Sequence, residues 1–349
     1  LIDIVNPQGV DETRGFQVLE TWGSVVRLSA LALALVFFAS PVPADAQPPG
    51  KAPRVGFLGL PGELASSRWR DGFIRGLRDL GYVPGESIIV DFRGSTTTDE
   101  LHQGLNEFIR LKVDIIFVGP PALAMAAKQA PRGIPIVCGT CGDPVENGLA
   151  ESLARPGGNV TGLASLSAEL IGKRMALMQE LLPGASRLAV FLYPANPGTR
   201  ATLSPIGAAS LTLGIKMHRV DIRGVGDFEN AFGSAARGGA GAVVLQDDPL
   251  TFSARRQIAA LALKHRLPVS TGIAELAEAG ALIAYGPDRV DMYRRAAGLV
   301  VKILKGAKPA DLPFEQATKL DLILNLKNAK ALGLTIPQSF FLRADRVIE

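Results

Sequence analysis

Short, nearly continuous apolar runs, each closed by glycine or proline and followed by helical spacing, recur along this chain from residue 54 onward. Residues 54–60, between Pro53 and Pro61, read as a buried strand. Ser66 and Ser67 can cap a helix to about Leu80 that sets Phe73, Ile74, Leu77 and Leu80 on one face, and Gly81 ends it. Strands at 87–92, 114–118 and 134–137 follow, separated by a helix capped at Thr98 and a short one over 121–129. The same order restarts at Arg187, with strands at 187–192, 216–221, 242–245 and 269–271. Helices at 199–213, 227–236 and 252–266 lie between them. Strands apolar on both faces, alternating with helices, predict an α/β protein of parallel sheets covered on both sides by helices.

The two series superimpose. Arg54 matches Arg187, Gly81 matches Gly214 and Pro135 matches Pro268, each 133 residues apart. A constant offset at three landmarks predicts two lobes of one topology. The tail reads as a strand over 282–288, a helix capped by Asp288 to about Leu304, a link, a strand over 320–325 and a helix over 326–332. It is too short for a domain, so it is expected to complete the lobes by crossing between them. Lobe 1 then comprises 54–162 plus about 287–311, and lobe 2 comprises 163–286 plus about 312–349, with a multi-strand hinge. Residues 141–162 hold five glycines and two prolines and are expected to form a cleft wall and the first crossing.

Composition narrows the class. Among 349 residues, 47% are hydrophobic and 20% charged, as in a globular protein. The net charge of +4 is spread along helices rather than massed with aromatics, which argues against nucleic-acid binding. Arg27, an apolar run over 28–40, Pro41 and the small-x-small Ala44-Asp45-Ala46 form an export signal cleaved before Gln47. Thirteen residues are too few to span a bilayer, which takes about 20. No cysteine follows for a lipid anchor and no Arg-Arg pair precedes, so the general secretory route is expected. Residues 47–53 are a linker. The initial Leu and the residues before Arg27 suggest a truncated or mis-started reading frame; a short buried core helix is the alternative for 28–40.

In open parallel sheets, ligands bind beyond the carboxyl ends of the strands. Helix starts at Ser66, at Pro121 and Ala122, and at Thr199 follow such ends and offer unpaired N–H groups to anions. Asp143, Asp247 and Asp248 on other loops could hold an ammonium group, although Asp in such loops also simply caps or turns. Tyr193 and Tyr285 end strands and could stack on a ring. Cys138-Gly-Thr-Cys141 leaves three readings open: a redox dithiol, a structural disulfide or two apolar fillers. The histidines, His102, His218 and His265, are far apart in sequence, and no G-x-S-x-G, P-loop or G-x-G-x-x-G is present. The expectation is a cleft with polar loops, no catalyst, no metal and no cofactor.

Gly142-Asp-Pro-Val, Ser152-Leu-Ala-Arg-Pro-Gly-Gly-Asn-Val-Thr-Gly162, Leu181-Leu-Pro-Gly-Ala-Ser-Arg187 and Pro194-Ala-Asn-Pro197 resemble, in this order, a family of bacterial ABC-transporter substrate-binding proteins. So do Tyr285-Gly-Pro-Asp288, the 305–313 link, Asn325-Leu-Lys and the 329–337 segment, so the resemblance covers 54–349. It implies a two-lobe clamp of the type I periplasmic binding-protein fold that closes on a small polar organic solute such as an amino acid. The implied partners are an ABC permease and its ATPase subunit, with the membrane reached only through the permease. The implied protein is periplasmic and monomeric. Carried over singly, Asp143, Asn196, Asp247 and Tyr285 fall at cleft positions. Tyr193 departs from the Asn common there, and the C-x-x-C replaces an Ala/Gly-rich run. The alternatives are an exported thiol-disulfide oxidoreductase using Cys138 and Cys141, another enzyme on this scaffold, or a repressor effector domain.

Overall fold

Each apolar run becomes a strand of one of two sheets in the computed structural model, which describes residues 51–60, 68–95, 97–129 and 133–349. The export segment expected over 1–46, and Ser66, lie outside the described residues. The first sheet has the order β11-β5-β4-β3-β1-β2, with β1 Arg54–Gly59, β2 Ile89–Gly94, β3 Ile115–Val118, β4 Ile136–Cys138, β5 Val160–Ala164 and β11 Glu315–Gln316. All its pairings are parallel. The second has the order β13-β12-β10-β9-β8-β6-β7, with β6 Arg187–Leu192, β7 Lys216–Asp221, β8 Ala242–Leu245, β9 Val269–Thr271, β10 Ile283–Pro287, β12 Leu320–Asn325 and β13 Arg346–Ile348. Its five leading strands are parallel, while β12 runs antiparallel to β10. That reversal follows from the chain entering lobe 2 for the last time at the end of the sheet opposite to where the other strands start.

Both sheets therefore share one winding, second–first–third–fourth–fifth. β1 and β6, and β4 and β9, start 133 residues apart, as the landmarks predict. The intervening pairs are displaced because the loop before β2, with its Pro84–Ile88 bridge, is longer than the one before β7.

Twelve helices are described, and those bearing on the site are α1 Arg68–Asp79, α2 Thr98–Leu111, α3 Pro121–Lys128, α4 Ser167–Leu181, α5 Thr199–Leu213, α6 Phe228–Arg237, α7 Pro249–Ser253, α8 Arg255–Lys264, α9 Ala274–Ala279 and α10 Arg289–Leu304. The cap of α2 is Thr97 rather than Thr98: its hydroxyl accepts from Glu100 N at 3.2 Å while the Glu100 carboxylate accepts from Thr97 N at 3.3 Å. The helix expected over 252–266 is two, because Asp248 caps α7 with Pro249 at its first position. In lobe 1, α10 lies directly on α1. A Cβ at Gly76 would stand 2.3 Å from the Arg294 carbonyl, and one at Gly72 would stand 2.6 Å from that of Val290. Glycine at both positions lets the two backbones touch. Beneath them Phe57, Phe73 and Phe117 pack with ring centroids 4.3–5.4 Å apart.

The chain crosses between lobes three times: between β5 and α4, between β10 and α10, and between β11 and β12. The third crossing falls after 316 rather than near 311, because Glu315 and Gln316 first add to the lobe 1 sheet beside β5. The crossings are tied to each other. Ala317 N donates to Ala164 O and Asp288 N to Lys319 O, both at 3.0 Å.

Candidate functional site

A cavity of about 320 Å³ lies between the lobes, at the carboxyl ends of both sheets. Lobe 1 lines it with Trp69 at the start of α1, the Pro120–Ala122 turn after β3, and Thr140, Gly142, Asp143 and Asn147 after β4. Lobe 2 contributes Tyr193 and Asn196 after β6, and Gln246, Asp247 and Asp248 after β8. Ser165 and Ser167 from the first crossing, Arg289 from the second, and Ile222, Leu250 and Phe252 of lobe 2 also line it.

The lobes touch around this cavity. Trp69 of lobe 1 packs on Phe252 of lobe 2 with centroids 5.0 Å apart, and the Arg289 guanidinium covers the Trp69 ring at 5.1 Å. Arg289 also approaches Asp247 Oδ2 at 3.5 Å. At the start of α1, Arg68 reaches Glu278 at 2.7 Å and Glu275 at 3.5 Å on α9 of lobe 2. These are contacts of a closed clamp.

Asp247 lines the cavity, as the sequence suggests, and one of its oxygens is committed within the protein. Its Oδ1 receives Arg174 Nη1 at 2.6 Å and the Gly272 N–H at 2.9 Å. Both side chains are removed from water, Arg174 at 1% and Asp247 at 7% exposure, so the pair is a buried brace whose partners compensate each other. Asp247 therefore holds α4 and the loop after β9, and presents its other oxygen toward Arg289.

Asn196 likewise has both ends engaged: Oδ1 accepts from Gly198 N and Nδ2 donates to Asp248 Oδ2, each at 2.8 Å. Asp248 also caps α7 through Leu250 N at 2.7 Å. Burial pushes the Asp248 carboxyl above its ordinary pKa in spite of these bonds, and the neighbouring Asp247 charge adds to the rise. Tyr193 is 1% exposed. Burial raises its hydroxyl pKa, against the hydrogen bond it shares with Thr251, so it stays a neutral phenol. Asp143 is exposed at the rim, where its Oδ1 accepts from Val145 N and Glu146 N at 2.9 and 3.1 Å and closes a turn. Pro121 and Ala122 begin α3, which has no side-chain cap. Leu123 N and Ala124 N turn back to Pro120 O, whereas Ala122 N has no partner among the described residues.

Tyr285 does not line the cavity. It lies opposite Leu322 in the β10–β12 pair and packs on the lobe 2 core. The strand does not end at Tyr285 but continues through Gly286 and Pro287, leaving that side chain on the helix-covered face. Cys138 and Cys141 are joined in a disulfide with Cα atoms 5.6 Å apart, and neither is exposed. Sequence reasoning missed Trp69, Asn147, Gln246 and Arg289. Gln246 and Asn147 lie in loops at the carboxyl ends of β8 and β4, where the strand-end rule points, whereas Trp69 and Arg289 open helices that look unremarkable in sequence. Among the described residues, no group of His, Cys, Asp or Glu could hold a metal ion, and no helix is long and apolar enough to cross a membrane.

Comparison with known proteins agrees with this geometry. A curated tyrosine-binding protein of Clostridioides difficile (strain R20291) is 25% identical over 285 residues, 81% of this chain and 82% of that protein. The crystal structure of a conserved domain protein of Vibrio cholerae superimposes with a TM-score of 0.79 at 26% identity, covering 85% of this chain and all of that one. The ABC domain from Streptococcus pneumoniae in complex with L-Trp gives a TM-score of 0.77 at 20% identity over the same shares. Residues 63–348 match the model of a family described as ABC transporter substrate binding protein, so this chain, with its two parallel-sheet lobes of the type I periplasmic binding fold, belongs to the ABC transporter substrate-binding protein family.

Proposed function

We propose that the protein is the extracytoplasmic receptor of an ABC importer for an amino acid with a bulky, preferably aromatic, side chain, which it delivers to a membrane permease. The observation that carries this reading is the make-up of the interlobe cavity. At about 320 Å³ it has the size of a small-metabolite site. Its walls include Trp69, Phe252, Ile222, Leu250 and paired prolines beside a few polar groups. The lining acids Asp143, Asp247 and Asp248 are matched by Arg223 and Arg289 in the lining and by Arg174 behind Asp247, so the site suits a zwitterion better than a multiply charged ion. The relatives' names, a tyrosine binder and a complex with L-Trp, support the same class.

Closure supplies the mechanism. A solute held by loops of both lobes makes its full set of contacts only when they meet, so binding shifts the population to the closed form that the permease receives. The protein acts after export and cleavage following Ala46, as a monomer. The Cys138–Cys141 pair lends no support to thiol exchange as the main activity, because both sulfurs are buried.

A thermal-shift and calorimetric screen of the L-amino acids tests the reading. A solute at 100 times its Kd should stabilise the protein by about 2.7 kcal/mol. If no amino acid raises the melting temperature, the reading fails.

A further inference from the structure

Gln246 sits at the end of β8, where three loops converge, and is 4% exposed while lining the cavity. Its backbone is fixed on both sides, by Gln246 N to Phe191 O at 3.0 Å and by Thr251 Oγ1 to Gln246 O at 3.2 Å. The side-chain Oε1 receives the Tyr193 backbone N–H at 3.1 Å and lies 3.0 Å from the Thr199 hydroxyl. A backbone N–H only donates, so the Tyr193 contact determines which end of the amide is oxygen. Nε2 is thereby turned away from this network, and it has no hydrogen-bond partner among the described residues.

Gln246 Nε2 is not among the side-chain atoms sealed off without a partner, so it keeps access to the cavity that Gln246 lines, and its two protons are open to an acceptor there. The end left for the cavity is a pure donor, since Oε1 is already occupied. A solute hydroxyl would find no acceptor on Gln246 for its own proton. A carboxylate or an amide carbonyl oxygen needs none. Gln246 is also uncharged, so it adds such a contact without changing the charge of the lining.

We propose that Gln246 is a specificity-determining residue whose Nε2 donates to a carboxylate or amide-type carbonyl oxygen of the solute. The assignment rests on the amino-acid reading above, and it adds the group by which the cavity would separate amino acids and their amides from the corresponding amines. The shape of the Tyr193–Thr199–Gln246 network means the donor is in place before the solute arrives.

The test uses the full chain and calorimetry with three kinds of probe: L-tyrosine and L-tryptophan, their primary amides, and tyramine and tryptamine. The wild type should bind the acid, the amide or both at least about tenfold more tightly than the amine. Comparing acid with amide identifies the source of the oxygen. Gln246→Glu keeps an acceptor for Tyr193 N but replaces the donor with an oxygen. It should lose about 10- to 100-fold in affinity for the acid and most of the discrimination against the amine. Gln246→Met, which removes the donor without adding charge, should lose the same discrimination and stands in if the Glu variant folds poorly. Amine binding by the wild type as tight as that of the acids and amides, or discrimination retained in both variants, overturns the role of Gln246 and leaves the solute reading standing. Failure of every probe to bind the wild type removes the solute reading and this assignment with it.

Discussion

Replacing Gly272 with alanine sets one methyl group against the buried ion pair that positions the lobe 2 wall of the cavity. The added Cβ would stand 2.2 Å from Asp247 Oδ2 and 2.7 Å from both Asp247 Oδ1 and Arg174 Nη1. Neither charged end can swing into water, since the two side chains are 7% and 1% exposed. The pair must separate or drag its surroundings with it. Loss of one partner from a buried pair costs about 3–5 kcal/mol, and partial relaxation brings the expectation to roughly the lower bound. At roughly 2–4 °C per kcal/mol for chains of this order, the melting temperature should fall by about 6–12 °C. Circular dichroism of the ligand-free protein measures it. Gly224→Ala is the matched control: a Cβ there meets nothing within 4 Å and the backbone is extended, so its change should stay within about 0.5 kcal/mol. If Gly272→Ala melts with Gly224→Ala, the Asp247 carboxylate is not clamped. Its role as a brace between α4 and the loop after β9 would then be wrong.

Three further outcomes follow from the same geometry. Arg289→Met removes the bridge to Asp247, which joins lobe 1 to lobe 2, together with the cover on Trp69 within lobe 1, so the ligand-free protein should open, its radius of gyration by X-ray scattering should rise, and solute affinity should fall about 5- to 30-fold; unchanged scattering and affinity would refute the closure contact. Trp69 and Trp22 are the only tryptophans, so after removal of residues 1–46 the emission reports Trp69 alone, and it should change with a saturating solute and shift to the red in Arg289→Met. For Asp248 the sign runs from its raised pKa: the folded protein holds that proton more tightly than the unfolded chain, so the group costs stability at neutral pH and the cost disappears as pH falls through the raised value toward the ordinary carboxylate range near 4. Asp248→Asn keeps the capping oxygen for Leu250 N but loses the acceptor for Asn196 Nδ2, so the readout is the trend: its melting temperature relative to wild type should fall from pH 7 to pH 4, as the wild type regains the cost of the charge; a difference that is constant with pH would sink the argument.

Strand positions were legible where punctuation is strong. β1, β6 and β12 fall where glycine, proline and apolar continuity place them, and α5 spans 199–213 as its Gly214 stop requires. The direction of β12 was not legible, because pairing with β10 is decided by where the chain re-enters the lobe and not by any residue in the strand. At the site, loops were easier to find than roles. Asp247 and Asn196 look like free ligands until Arg174 and Gly272 are seen to occupy Asp247 Oδ1, and Gly198 and Asp248 both ends of the Asn196 amide. Gln246 carries no motif, and its importance arises only when Tyr193 N fixes the orientation of its amide. Arg289 is one charge among many in sequence and becomes distinctive through its stack on Trp69.

The tied crossings have a consequence for diversification. Ala164 with Ala317, and Asp288 with Lys319, join the three connections through main-chain atoms, which any side-chain replacement elsewhere leaves intact. The cavity is lined by loops after β3, β4, β6 and β8, whereas the lobes are joined by this backbone bundle. A lineage copying the gene could therefore change its cargo by a few loop substitutions while inheriting the moving joint unaltered. The same separation makes the chain a convenient chassis for biosensors, with selectivity rewritten at the loops and the output read at the joint.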